Sequence, residues 1–118
     1  MENATVFYRT CVKKLLTEFA NFKTDWSDVK LSFDDERGCY VALRVGWFQK
    51  YTRIHRCLAH IEVQNDMIVI QANNTEDLID AALIEMGVPK ERIQFGFIPD
   101  DFQRAVDLYA PQTSAAIA

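Results

Sequence analysis

The sequence predicts an α+β domain: a single antiparallel sheet of about five strands with two main helices packed on one face. Three observations predict it. The central stretch Arg37–Ala72 holds three strand-like runs, Gly38–Phe48, Arg53–Val63 and Met67–Ala72, joined by turn-like Gln49-Lys50-Tyr51-Thr52 and Gln64-Asn65-Asp66. In the first run Cys39, Val41, Leu43, Val45 and Trp47 share one parity, so in an extended chain they share one face. Segments with helical apolar spacing lie on either side of these strands instead of alternating with them, which is the α+β pattern.

From the N-terminus, residues 4–22 predict an amphipathic helix. Phe7, Cys11, Leu15, Phe19 and Phe22 recur at steps of three or four, widened by Ala4, Val12 and Leu16, while Arg9, Lys13, Lys14 and Glu18 fall off the stripe. Lys23–Asp28 is a polar connection. Val29, Leu31 and Phe33 alternate with Lys30 and Ser32 as a first strand, and Asp34-Asp35-Glu36-Arg37-Gly38 supplies the turn. Three consecutive acids lack the spaced ligands and internal glycine of a calcium loop. In the Arg53–Val63 run both parities carry apolar residues: Cys57, Ala59, Ile61 and Val63 on one, Ile54 and Leu58 with His60 and Glu62 on the other. Met67 and Val69 against Ile68 and Ile70 repeat the pattern. Both sheet faces are therefore expected to be partly covered. The helices take one face, leaving the other for a partner, a second copy of the chain or the C-terminal segment.

Residues 73–87 predict the second helix, capped by Asn74 or Thr75 and ended by Gly87, with Leu78, Ile79, Ala82, Leu83 and Met86 buried. Pro89 begins a single helical turn, Ile93–Ile98 is a last short strand, and Asp100–Tyr109 has helical spacing. One domain spans residues 1–110, and residues 111–118 read as a flexible tail.

At 118 residues there is room for one core. A hydrophobic share of 49% excludes a disordered body. No apolar run approaches the roughly 18 residues of a membrane span, and the start lacks a secretory signal, so a cytoplasmic location is expected. Three cysteines without CxxC spacing make a disulfide framework or zinc knuckle improbable. No cofactor is expected, because the four glycines are isolated and form no phosphate loop.

Charge is the sharpest feature. Net charge is −4, yet residues 37–61 carry five basic side chains and no acid, against −2 before them and −7 after. Within that segment Arg44, Lys50, Arg53 and Arg56 are interleaved with Tyr40, Trp47, Phe48 and Tyr51. Such a ribbon can dock an acidic protein, stack on and track a single nucleic-acid strand, or be neutralised by the chain's own acids. Lys90, in the post-helix turn, joins Arg44, Trp47, Lys50, Arg53 and Arg56 as a candidate partner-binding residue. The candidate ligand pocket is His55, Cys57 and His60. His55 and Cys57 share a face, but His55 and His60, five apart, are expected on opposite faces and unable to share a metal. No third group orients a Cys/His nucleophile pair, so no catalytic residue is assigned.

Val45-Gly46-Trp47, Arg53-Ile54-His55, Cys57, His60-Ile61, Ile70-Gln71, Thr75-Glu76, Gly87-Val88-Pro89-Lys90-Glu91 and Gly96-Phe97, in this order and spacing, resemble the XisI family. That family takes its name from the cyanobacterial fdxN element excision controlling factor. The resemblance runs from the first helix to about Tyr109, with an ending unlike the family's usual one. It implies an accessory, non-catalytic role in site-specific excision of a DNA element. It also implies a companion, XisH, which looks like a restriction-endonuclease-type fold.

Overall fold

The computed structural model describes residues 2–98. Helix α1 (Glu2–Glu18) tightens into a 3-10 turn at Phe19–Phe22. Five strands follow: β1 (Ser27–Asp34), β2 (Cys39–Phe48), β3 (Thr52–Gln64), β4 (Met67–Asn73) and β5 (Ile93–Phe95). Helix α2 (Ile79–Glu85) and a 3-10 turn at Lys90–Arg92 lie between β4 and β5. The predicted element at Asp100–Tyr109 and the tail lie outside the described residues.

The sheet has the order β1-β2-β3-β4-β5. Its first four strands form an antiparallel meander, but β5 runs parallel to β4, so the sheet is mixed and not purely antiparallel. A parallel neighbour needs a crossover of a dozen or more residues, and the segment carrying α2 supplies one.

One core joins both helices to one sheet face. Tyr8, Cys11, Val12, Leu15, Leu16 and Phe19 of the first helical segment meet Tyr40, Ala42, Ile61, Val63, Ile68 and Ile70. Tyr8 takes the place predicted for Phe7, which is 42% exposed. The predicted parity of β2 holds. Cys39, Val41, Leu43 and Val45 do share a face, but it is the one away from the helices, where they are half-buried; Tyr40 and Ala42 are fully buried on the helix side. The alanine lets α1 approach, and the Tyr40 hydroxyl finds Asp35 at 2.7 Å, so a large polar ring can be buried there.

Helix α2 is shorter than predicted. Asn73 Oδ1 accepts hydrogen bonds from the Thr75 backbone N–H and hydroxyl, and Thr75 Oγ1 accepts from the Asp77 N–H. These side chains capture donors that a helix start would present, holding 74–78 as a loop. Leu78, predicted buried, is 45% exposed. The C-terminus follows expectation. Val88 N–H donates to Leu83 O and Gly87 N–H to Ile84 O, with Gly87 at φ +110°, a Schellman closure.

Two β-bulges adjust the sheet. Between β2 and β3, Ala42 faces Ala59 and Leu43 faces Cys57, leaving Leu58 as the extra residue. Between β3 and β4, Gln71 is the extra residue. Each bulge reverses the alternation beyond it. That is why apolar residues occupy both parities of β3: Leu58 and Ala59 are both buried in the core.

Candidate functional site

Beyond the Leu58 bulge and the end of β4, β2 and β3 run on as a ribbon, flanked by β1 as far as Gly46 and two-stranded from there to the turn Gln49–Tyr51. Gln49 and Lys50 both sit at positive φ, +53° and +71°, which is uncommon for side-chain-bearing residues. At the base, the Trp47 N–H donates to Trp26 O at 3.0 Å. A Cβ on Gly46 would collide with the Trp26 carbonyl and Ser27, so this close approach requires glycine.

Register divides the predicted partner-binding residues. Arg44 faces Arg56 on the helix side, whereas Trp47 faces Arg53 on the opposite side, alongside His55 and Cys57. Like charges directly opposite repel. Arg44 turns to Ser27, donating to its hydroxyl at 2.7 Å, with its guanidinium 5.9 Å from the Trp26 ring centre; Arg56 remains exposed. Both line a shallow groove of about 370 Å³ whose far wall includes Glu76 and Asp77. Arg53 stacks over Trp47 at 5.2 Å and donates to Gly46 O at 3.4 Å. Trp47 is 52% and Tyr51 87% exposed. The ion pairs among the described residues are Lys13–Asp35, Lys30–Asp28, Arg37–Asp34 and His60–Glu62. None engages Arg44, Lys50, Arg53, Arg56 or Lys90. Lys90 stands apart from the ribbon: it precedes β5, whose Ile93 pairs with Ile68 near the far end of the sheet. Val63, level with Ile68, lies roughly 30 Å along β3 from the ribbon tip.

The predicted trio His55, Cys57 and His60 is not brought together. The Leu58 bulge puts His55 and His60 on the same face, contrary to simple alternation, because His55 is level with Val45 and His60 with Val41. Four residues of β2 then separate them, about 13 Å. Burial pushes the Cys57 thiol up, the reverse of what activates a nucleophile. His60 instead joins Cys39 and Glu62. Cys39 pairs directly with Glu62, and His60 is two residues from Glu62 on the same face. His60 Nε2 lies 3.5 Å from Cys39 Sγ and 3.3 Å from Glu62 Oε2. Gln71 Nε2 donates to the other Glu62 oxygen, Oε1, at 3.3 Å. Burial first, then the Glu62 and Asp34 carboxylates, raise the Cys39 thiol. Sequence reasoning paired His60 with Glu62 but missed Cys39, because only the bulged register brings that thiol across.

A family model described as XisI protein matches residues 1–110. The chain belongs to the XisI family. Among solved structures, this XisI-family chain is similar to a XisI-like protein from Anabaena variabilis ATCC 29413, at 37% identity and TM-score 0.77, covering 85% of this chain and 94% of that one. It also shares the fold of the fdxN element excision controlling factor XisI from the same organism, at 22% identity and TM-score 0.69, covering 83% and 96%. No curated protein matches it. No helix among the described residues is long and apolar enough to cross a membrane.

Proposed function

We propose that this XisI-family protein is a non-catalytic accessory factor in site-specific excision of a DNA element, acting by contact with an XisH-like protein. The observation that carries the reading is the ribbon tip. Lys50, Arg53 and Arg56 project from an acidic chain, and none forms an ion pair among the described residues. Exposed Trp47 and Tyr51 flank them. Arginine and aromatic residues are the side chains enriched at the energetic centres of protein interfaces. Burial raises the Cys57 thiol, the reverse of what a thiol nucleophile needs.

Co-purification of the chain with an XisH-like product tests this reading. Arg53→Glu reverses the charge and removes the stack on Trp47, so the complex is expected to be lost. Retention of the complex at wild-type yield rejects the ribbon as its docking surface.

Direct binding of single-stranded nucleic acid is the second reading, favoured by the aromatic side chains on a cationic ribbon. Labelled single-stranded DNA retained at low salt and released steeply as salt rises supports it. Absence of binding at low salt removes it.

A further inference from the structure

Cys39, His60 and Glu62 converge from two neighbouring strands on one sheet face. The same imidazole nitrogen, Nε2, faces both the thiol and the carboxylate. A nucleophilic triad would set the thiol on one ring nitrogen and the carboxylate on the other. With its proton on Nδ1, the imidazole instead turns its Nε2 lone pair toward the same point as the sulfur and the carboxylate oxygen, which is how three ligands face a cation.

We infer that Cys39 Sγ, His60 Nε2 and Glu62 Oε2 form a zinc-binding site with one position left exchangeable. The spacing is that of a tetrahedral face. Bonds of about 2.3 Å to sulfur, 2.05 Å to nitrogen and 2.0 Å to oxygen put S···N at about 3.6 Å and N···O at about 3.3 Å. The protein has 3.5 Å and 3.3 Å, and ligand atoms of all three residues lie within 4.8 Å of one another. The donor set of thiolate, imidazole and carboxylate is one zinc accepts. Two neighbouring strands hold it. Cys39 and Glu62 are register partners, and the Val63 N–H donates to Gly38 O at 2.8 Å beside them. Gln71 supplies the outer support by donating to the other Glu62 oxygen. The three side chains lie on the half-buried sheet face away from the helices, so the fourth position is open to water or to a donor from a docked molecule.

Chelator-treated full-length protein titrated with Co²⁺ and then Zn²⁺ tests the site. One Co²⁺ per chain is expected, with a thiolate-to-cobalt charge-transfer band that Zn²⁺ abolishes by displacement. Cys39→Ser eliminates the band and Cys57→Ser keeps it. Gln71→Ala keeps the band and weakens Zn²⁺ binding roughly 10-fold. Glu62→Gln, which preserves shape and thiol, weakens Zn²⁺ binding at least as much and serves where Cys39→Ser does not fold. No cobalt bound, a band that survives Cys39→Ser, or an unchanged Zn²⁺ affinity in Glu62→Gln overturns the site.

Discussion

Arg53 and Arg44 show how two arginines of one ribbon acquire different tasks. Arg44 is anchored by Ser27 and lies against Trp26, whereas Arg53 stacks over Trp47 on the outer face. A guanidinium on an aromatic face retains its donors for a partner, and a lysine lacks the planar fork. Arg53→Lys is therefore expected to weaken partner binding while leaving the melting temperature unchanged. Thermal melts and binding titrations on one preparation check both halves. Asp35 offers a pH-dependent test. The Lys13 ammonium, 2.9 Å away, and then the Tyr40 hydroxyl hold its carboxyl below the ordinary carboxylate range. A carboxyl depressed in the folded state stabilises fully above the unfolded pKa of about 3.9 and loses that contribution as pH falls through the folded value. Asp35→Asn should melt below the wild type at pH 7, with the gap narrowing below about pH 4. A gap independent of pH contradicts the coupling. The raised Cys57 thiol predicts slow alkylation of Cys57 in the folded chain at neutral pH relative to the unfolded chain, measured by mass spectrometry.

At the scale of elements, local signals were legible where the cause was local. Gly87 at the end of α2, Pro89 opening the next turn, and the two-residue reversal at Asn65-Asp66, with φ of +51° and +66°, all sit where residue type demands. Gly87→Ala is expected to cost about 1–2 kcal/mol, because alanine resists positive φ and its Cβ would stand 3.3 Å from the Phe7 ring. Chemical denaturation measures the loss. The Leu58 and Gln71 bulges were not legible, since a bulge is set by pairing across strands and leaves the alternation of either strand ambiguous. That ambiguity misplaced His60 relative to His55 and hid Cys39. The start of α2 failed for a related reason: Thr75, one of the two predicted caps, serves a loop with Asn73 and Asp77 instead, and residue type alone does not choose.

Across the whole molecule, composition anticipated one core, and the segregation of charge into residues 37–61 coincides with the ribbon. Which sheet face receives the helices was not legible, because β2 is apolar on both sides and Tyr40 stood out only as one of the aromatics among the basic residues. Its full burial makes the β2–β3 pair both the floor of the core and the root of the ribbon. The Cys39–His60–Glu62 cluster lies at the other end of the same two strands. Hydrogen exchange on the complex with an XisH-like protein tests the central claim, that this ribbon is the docking surface. Slowed exchange at the amides of residues 47–56 is predicted, and protection confined to α1 or β5, with the ribbon exchanging as in the free chain, contradicts it.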